Sequence, residues 1–364
     1  MNGHRKALII LRGYLKSDHM KNLRFAVLGC GFWSRFQIGA WSEVEGAELV
    51  AVYNRTRSKA EKIAIDFGVP RIYDDADELF SREKPDFVDI ITDVDTHSYF
   101  VEMALRHGVK YIICQKPMAP DFIAAKRMTD LCRSAGAKLY IHENYRWQAP
   151  IRRFRQILDS GFTGKPFKAR VSFLSGFPVF DNQPFLKELD HFILTDMGSH
   201  ILDVVRYLFG ECESLWCRTK SVSQGIKGED LAVILLQMAS GIPVYTEMSY
   251  ASIVEHDTFS TLHLLAEGEK GSVSLGPRFE IRTTTREGTV SETVKFPTFD
   301  WADPDYIVNH ESGIHVCRNI LSDILGRGKA ENTGEDNLET VRLIWASYKS
   351  AASGEIVKIR DFVQ

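Results

Sequence analysis

The sequence has 364 residues, a formal net charge of −3 at pH 7 and six cysteines. A chain of this length exceeds the size at which one hydrophobic core keeps growing, so we expect two domains. The mild acidity and the lack of a long basic stretch argue against nucleic acid as a partner, and no stretch reaches the ~18 apolar residues that would cross a membrane.

The chain begins with a segment, residues 1–22, that we interpret as an N-terminal extension. Its apolar stretch within residues 6–12 ends at Arg12 and is too short for a secretory signal. The cysteines include no Cys-x-x-Cys pair and no group with zinc spacing, which predicts reduced thiols and no metal site. We therefore expect a cytoplasmic protein.

A glycine-rich turn follows the first predicted strand. Gly29 and Gly31 are separated by one residue, and a helix is predicted directly after them. Two glycines in this position let backbone N–H groups approach a pyrophosphate, whose charge the N-terminus of the helix favours. Ser34 stands where a third glycine or alanine is usual, so an ordinary tight turn is the alternative. Phe32 and Trp33 are candidate cofactor contacts through their backbone N–H groups, with aromatic core packing as the alternative.

The next predicted strand, residues 47–53, completes a strand, helix and strand unit of the size that binds a dinucleotide. At its end, where such a fold contacts the adenosine ribose, the chain has Asn54 and Arg55. An amide can hydrogen-bond to the ribose without repelling a 2′-phosphate, and the nearby Arg57 and Lys59 would tolerate one. These residues leave NAD and NADP both open, and the bases are alternatively the solvated start of a helix.

Strands and helices alternate up to about residue 142, which predicts a parallel, doubly wound α/β sheet of the Rossmann type. Ligands of such sheets bind beyond the carboxyl ends of the strands. We therefore expect residues 92–97 and 115–117, which follow two of the predicted strands, to line the same crevice as the glycine turn.

From about residue 150 the pattern changes to strands joined by short turns, which indicates an antiparallel sheet. The predicted strands span residues 167–174, 214–222, 232–238, 244–250, 260–267, 271–275 and 279–284. The helices predicted to cover one face of this sheet span residues 151–159, 196–208, 315–325 and 335–353. We therefore predict a Rossmann domain at residues 23–145 and an α+β domain with a mostly antiparallel open sheet at residues 146–364.

Several motifs, taken together and in this order, resemble the Gfo/Idh/MocA family of oxidoreductases, and the resemblance covers nearly the whole chain from about Leu23. After the glycine turn, residues 92–97 resemble the family's Thr-Pro-x-x-x-His segment, and residues 114–117 resemble its Glu-Lys-Pro motif. Residues 196–200 resemble its Asp-x-x-x-His helix start, and residues 346–354 resemble its last helix. The resemblance implies that the second domain binds the substrate and forms the oligomer.

The resemblance also implies that Lys116, Asp196 and His200 carry out the chemistry and contact the substrate. Removal of hydride from a carbinol requires that the hydroxyl proton also leaves, and a histidine is suited to accept it near neutral pH. Asp196, four residues earlier on the same helix face, is expected to orient the imidazole. Lys116 is expected to contact the cofactor and to donate to the reacting oxygen. The alternatives are a helix cap for the Asp/His pair and a surface ammonium for the lysine.

Cofactor contacts of Thr92, Asp93, His97 and Gln115 are implied in the same way. Gln115 stands where the family usually has a glutamate, so a hydrogen bond to the nicotinamide ribose stays possible without the charge. Asp93 replaces a proline, and its carboxylate could repel a phosphate or touch the substrate. Arg146 lies at the junction of the predicted domains, where it could contact cofactor or substrate, or form a structural ion pair.

We interpret the chain as an NAD(P)-dependent dehydrogenase that oxidises a small polyhydroxylated substrate. The resemblance favours a free sugar, with a pentose preferred, oxidised at its anomeric carbon to a lactone, and it favours NAD over NADP. An open sheet that needs its exposed face covered predicts a homodimer or homotetramer. A cyclitol dehydrogenase of the inositol type and a catalytically silent sugar or nucleotide sensor are the alternatives, and the intact Lys, Asp and His argue against silence.

Overall fold

The computed structural model describes residues 22–255 and 259–362. The predicted N-terminal extension lies outside the described residues, apart from Asn22. Within the described ranges, none of the helices is long and apolar enough to span a bilayer.

The first part of the chain folds around a six-stranded sheet in which every strand pair is parallel. Its strands are β1 (Leu23–Leu28), β2 (Ala47–Tyr53), β3 (Ile72–Tyr73), β4 (Phe87–Ile90), β5 (Tyr111–Gln115) and β6 (Lys138–His142). The helices between them are α1 (Ser34–Ser42), α2 (Arg57–Phe67), α3 (Ala76–Glu83), α4 (His97–Arg106) and α5 (Phe122–Ser134). The strand order β3-β2-β1-β4-β5-β6 is that of a dinucleotide-binding fold, so the predicted Rossmann sheet is confirmed.

The central strands of this sheet are mostly apolar and are buried because helices cover both of its faces. All four residues of β4 are buried, and so is every residue of β1 from Phe25 onward. Local capping sets the helix starts: the carboxylate of Asp75 accepts the backbone N–H groups of Asp77 and Glu78 at the start of α3. The sheet therefore holds its strand ends, and the loops that follow them, in fixed positions.

The second sheet has nine strands in the order β14-β13-β12-β11-β7-β10-β9-β8-β15. They are β7 (Pro166–Leu174), β8 (Cys212–Lys220), β9 (Leu231–Met238), β10 (Pro243–Ser249), β11 (His263–Gly268), β12 (Gly271–Leu275), β13 (Glu280–Thr285), β14 (Gly288–Thr293) and β15 (Val357–Lys358). Only the pair β7 and β10 is parallel among these described strands, which confirms the mostly antiparallel prediction. The sequence did not reveal the edge strands β14 and β15, because β14 is exposed at every position and β15 has only two residues.

Helices cover one face of this second sheet. The described helices in this part of the chain are α6 (Ala149–Asp159), α7 (Val179–Asn182), α8 (Ile193–Phe209), α9 (Ile307–Ile324) and α10 (Gly334–Ser353). Helix α8 packs on β7, β9 and β10, helix α10 packs on β8, and helix α6 packs on β12. Three of the four helices predicted to cover this sheet do so.

The fourth predicted helix, α9, packs against α1 and the Rossmann sheet instead. Ile314, Cys317 and Ile320 belong to the same buried cluster as Phe25 and Trp41. The expectation for residues 315–325 was wrong because an apolar helix face indicates burial but does not identify the sheet that buries it. We propose domain boundaries at residues 23–145 and 146–364, with α9 returning to the first sheet.

Candidate active site

The glycine turn lies between β1 and α1 and is shaped by close backbone approaches. Gly29 has a φ of +105°, and a Cβ there would lie 2.5 Å from the carbonyl oxygen of Ile91. The backbone N–H of Cys30 donates to Oδ1 of Asn54 at 2.9 Å, and the Asn54 amide donates to the carbonyl of Thr56 at 3.0 Å. The predicted ribose contact Asn54 thus also ties the end of β2 to the turn.

The residues of this turn fit a dinucleotide pyrophosphate. A Cβ at Gly31 would meet no atom within 4 Å, so this backbone is open to a ligand. The N-cap residue of α1, Trp33, makes no side-chain cap bond to the described part of the helix, and the first turn carries no acidic residue, so its first N–H groups are suited to an anion. Ser34 is buried and donates to the carbonyl of Gly31 at 2.6 Å, so a serine replaces the third glycine without disturbing the turn. Phe32 is 66% exposed, whereas Trp33 packs partly into the core.

We expect alanine to have different effects at the two glycines: it should lower stability at Gly29 and weaken NAD binding at Gly31. Gly29→Ala should lower the free energy of unfolding by roughly 2–4 kcal/mol, because the left-handed backbone and the contact with Ile91 both oppose a Cβ. Gly31→Ala should leave the thermal midpoint near that of the wild type and weaken NAD binding by about tenfold or more. Thermal denaturation and a tryptophan-fluorescence titration with NAD measure both effects. Unchanged NAD affinity in Gly31→Ala would rule out this turn as the pyrophosphate site.

Of the basic residues at the end of β2, Arg57 is paired with acidic neighbours. The Arg57 guanidinium lies 3.2 Å from a carboxylate oxygen of Glu61 and 3.4 Å from one of Asp74. Arg55 is exposed. The basic residues near the ribose position are thus in part engaged by acidic neighbours.

The buried side chain of His97 holds the loop that follows β4. The Nε2 atom of His97 lies 3.0 Å from the carbonyl oxygen of Thr92, and Nδ1 lies 3.3 Å from that of Met118. The expected cofactor contact of His97 is therefore not made by its side chain, which joins the loops after β4 and β5. Thr92 Oγ1 accepts from Thr96 at 2.8 Å, and Asp93 is exposed beside it.

Gln115 also points into the protein rather than toward a ribose. Its amide donates to Oε1 of Gln37 at 2.7 Å, and its oxygen accepts the backbone N–H of Lys116 at 2.7 Å. Gln37 in turn donates to both oxygens of the buried Asp89 at 2.8 Å, with Trp41 Nε1 as a further donor at 2.8 Å. Burial raises the pKa of Asp89 to about 7, although these donors oppose the shift. A glutamate at position 115 would add a second carboxylate to this buried network, which explains the amide.

Lys116, at the carboxyl end of β5, faces the first turn of α8. Its Nζ atom lies 2.8 Å from Oδ1 of Asp196, and the Tyr250 hydroxyl donates to Oδ2 at 3.0 Å. Burial would raise the pKa of Asp196, but the charges of Lys116 and His200 and these hydrogen bonds hold it below its ordinary value. The lysine and the aspartate each keep 20% of their side chains exposed, so this pair lies at an accessible surface of the crevice.

His200 lies one helical turn further along α8, and its partner is not the expected one. Its Nδ1 atom lies 2.7 Å from Oε1 of Glu143, and its ring stacks on Tyr145 with centroids 3.9 Å apart. The expectation that Asp196 holds the imidazole was wrong, because the Asp196 carboxylate is drawn to Lys116. Glu143 was not assigned a role from the sequence. Its position directly after β6, at the ligand edge of a parallel sheet, was the available signal.

Arg146 is a structural residue in this arrangement. Its side chain is buried and pairs with Asp203 through two nitrogens, and it also contacts Asp336 at 2.8 Å. The structure thus favours the ion pair over the contact with cofactor or substrate that was the other expectation. The pair joins the loop after β6 to α8 and α10.

The Rossmann sheet has a turn that fits a dinucleotide and a lysine at its carboxyl edge, which faces an aspartate and a histidine of α8. This arrangement defines an NAD(P)-dependent oxidoreductase. Residues 23–143 match the model of the oxidoreductase family with an NAD-binding Rossmann fold, and residues 151–274 match that of the GFO/IDH/MocA C-terminal domain. The chain belongs to the Gfo/Idh/MocA family. The expected family, enzyme class and NAD-binding fold are thereby confirmed.

The alignments with similar proteins cover nearly the whole chain. A D-apiose dehydrogenase of Rhizobium rhizogenes is 37% identical over 341 residues, which cover 94% of this chain and 99% of the relative. The structure of an oxidoreductase from Agrobacterium radiobacter in complex with NAD+, L-tartaric acid and magnesium has a TM-score of 0.91 and 37% identity, and the match covers 94% of this chain and 100% of that one. An inositol 2-dehydrogenase of Rhizobium meliloti is more distant, with 29% identity over 344 residues, which cover 93% of this chain and 99% of the relative.

Proposed function

We propose that this protein is an NAD-dependent dehydrogenase that oxidises the free pentose D-apiose at its anomeric carbon to the lactone. The observation that carries the proposal is full-length similarity, at 37% identity, to a D-apiose dehydrogenase. The lower identity to the inositol 2-dehydrogenase makes a cyclitol the second candidate. The close approach of Lys116 to Asp196, with His200 on the same helix, argues against a catalytically silent sensor.

The proposed roles follow from the charges in the crevice. The nicotinamide of bound NAD would accept the hydride that leaves the anomeric carbon. Lys116 donates a hydrogen bond to the oxygen on that carbon and stabilises the negative charge that develops there. Nε2 of His200 accepts the hydroxyl proton, so the anomeric C–H and O–H bonds are replaced by the C=O bond of the lactone. Asp196 holds the Lys116 ammonium in place, with Tyr250 as its second partner.

NAD is proposed over NADP because of the groups at the end of β2. Arg57 is engaged by Glu61 and Asp74, so its guanidinium is in part neutralised. Both polar ends of the Asn54 side chain are engaged, Oδ1 by the backbone N–H of Cys30 and the amide nitrogen by the carbonyl of Thr56. Arg55 and Lys59 are the exposed bases that remain for a 2′-phosphate, and pairing of Arg57 weakens the positive charge that NADP binding would use.

The uncovered face of the second sheet supports a homodimer or a homotetramer. This face carries apolar side chains, with Leu235 50% and Ile356 68% exposed. Trp216, Tyr245 and Leu265 line the same shallow groove. A second copy placed on this face would remove that apolar area from water.

A cytoplasmic location is part of the same proposal. All six cysteines are free thiols and all are buried. Thiols without disulfides are typical of proteins in reducing compartments.

A substrate panel tests the proposed function. D-Apiose, other pentoses, hexoses and myo-inositol are each incubated with the enzyme and either NAD or NADP, and formation of reduced nicotinamide is followed by absorbance. We expect the highest kcat/KM with D-apiose and NAD, exceeding that with myo-inositol by about 10²-fold or more. A higher kcat/KM with myo-inositol than with D-apiose would identify a cyclitol, and not a sugar, as the substrate. Tight NAD binding without turnover of any compound would overturn the assignment of an enzyme.

A further inference from the structure

The residue that contacts His200 is a carboxylate buried directly behind the crevice. Glu143 follows β6 and has no exposed surface. Its Oε1 atom accepts the backbone N–H of Tyr145 at 2.9 Å and lies 2.7 Å from Nδ1 of His200. Its Oε2 atom is buried without a hydrogen-bond partner among the described residues. A buried carboxylate with an unpartnered oxygen costs stability, so a role in function accounts for it better than a role in folding.

We propose that Glu143 is the positioning residue of the proton acceptor, and that it fixes His200 in the tautomer with the proton on Nδ1 and the lone pair on Nε2. The inference rests on the proposed function, in which Nε2 takes the substrate proton.

The hydrogen bonds around Oε1 determine the position of the proton. An ionised carboxylate can only accept hydrogen bonds, so an ionised Glu143 accepts both from the backbone N–H of Tyr145 and from His200. Nδ1 therefore carries the hydrogen, and the lone pair of the neutral imidazole lies on Nε2. No atom of the described residues bonds to Nε2, whereas stacking on Tyr145 holds the ring plane. The imidazole is thus oriented before a substrate binds.

Burial and neighbouring charges shift the pKa values of Glu143 and His200. Burial raises the pKa of Glu143 to about 7, while the N–H groups of the chain and the charges of Lys116 and Arg146 lower it. Burial and the charge of Lys116 also lower the pKa of His200 well below its ordinary value. The charged groups that face the pair are Lys116, Arg146, Asp196 and Asp203. In this setting an ionised Glu143 is the hydrogen-bonded counter-charge for an imidazolium.

The proton step then balances within the pair. The substrate hydroxyl proton moves to Nε2, and the Nδ1 proton stays between His200 and Glu143. Bound NAD would supply the acceptor for the hydride. The product of the step is an imidazolium beside a carboxylate. Asp196 does not take this position, because Nδ1 of His200 is bonded to Glu143, whereas the Asp196 oxygens are bonded to Lys116 and Tyr250.

Glu143→Gln tests this inference, since it removes the charge and keeps the shape of the side chain. Without the carboxylate the imidazolium is less stable, so His200 loses its proton at a lower pH. Oxidation needs the neutral imidazole, and the acid limb of kcat/KM for D-apiose should therefore move to lower pH by about one unit or more. The plateau of kcat/KM should fall by about 10²-fold. The thermal midpoint should not fall, because a buried charge has been removed.

A second measurement does not depend on turnover. Spectra of the imidazole nitrogens in ¹⁵N-histidine-labelled enzyme, with the His200 signals assigned by their loss in His200→Asn, should show hydrogen on Nδ1 in the wild type. The His200 titration should shift to lower pH in Glu143→Gln. Hydrogen on Nε2 in the wild type, or an unchanged titration in the variant, would overturn the role of Glu143 even if the substrate were a different sugar.

The matched control is Glu83→Gln, which alters another buried carboxylate far from the crevice. Glu83 pairs with Arg24 and Arg71 and accepts from the Tyr73 hydroxyl. This variant should lower the thermal midpoint and leave the pH profile of kcat/KM in place. If Glu83→Gln and Glu143→Gln shifted the profile equally, the effect would be general and the proposal would fail.

Discussion

His200→Asn is expected to lower kcat/KM for sugar oxidation by about 10³ to 10⁴-fold, because the group that accepts the substrate proton is lost. Asparagine retains a polar side chain of smaller volume at this buried position of α8. With no side-chain base, the proton must go to water or hydroxide, so the remaining rate should rise steadily with pH. Steady-state kinetics across a pH series measure both features.

The control for this variant is His107→Asn. His107 pairs with Asp77 on the surface of the Rossmann domain. It should leave kcat/KM within about threefold of the wild type. NAD should bind His200→Asn with unchanged affinity, because no described contact joins His200 to the glycine turn. A His200→Asn enzyme with wild-type kcat/KM would eliminate the imidazole as the proton acceptor.

Lys116→Met is expected to lower kcat by about 10² to 10³-fold, since it removes the donor to the reacting oxygen. The charge of Asp196 would then be balanced only by the hydroxyl of Tyr250 and by His200. Lys116→Arg keeps the positive charge and should recover part of the rate, although the planar guanidinium changes the geometry. Pre-steady-state hydride transfer, followed by absorbance, isolates the affected step.

A matched control comes from the surface pair Lys126 and Asp130 on α5. Lys126→Met breaks a lysine–aspartate pair of the same type and should leave kcat unaltered. Thermal denaturation of both variants separates loss of folding from loss of chemistry. If Lys116→Met lost no more activity than Lys126→Met, Lys116 would have no catalytic role.

The sequence predicted the fold well because its signals were local. Strict alternation of strands and helices, with the glycine turn after β1, indicated the Rossmann sheet. The second sheet followed from strands joined by short turns. Helix α9 was assigned to the wrong sheet, since the apolar residues around Ile314 and Cys317 specify burial but not the surface that buries them.

The sequence predicted which residues form the candidate site, but it did not predict which of their side chains bond to each other. Lys116, Asp196 and His200 do converge on one crevice, as the motifs imply. The i, i+4 spacing suggested that Asp196 holds the imidazole, but a lysine 80 positions away competes for that carboxylate. Glu143 lies 57 positions from His200, and only the folded chain brings them together.

Three further residues show that a motif does not predict which groups a side chain contacts. The side chains of His97, Gln115 and Arg146 were expected at the cofactor or substrate, but they bond to protein groups instead. A motif marks a position near the site. It does not tell whether the side chain faces the ligand or holds the loop that does.

The most direct test of the central claim is the fate of deuterium at the anomeric carbon. D-Apiose labelled with deuterium at C1 is oxidised with NAD, and the reduced nicotinamide and the sugar product are examined by NMR. Hydride removal from the anomeric carbon predicts deuterium at C4 of the nicotinamide and an unlabelled lactone. Deuterium retained in the sugar product, with unlabelled reduced nicotinamide, would place the oxidation at another carbon and contradict the account.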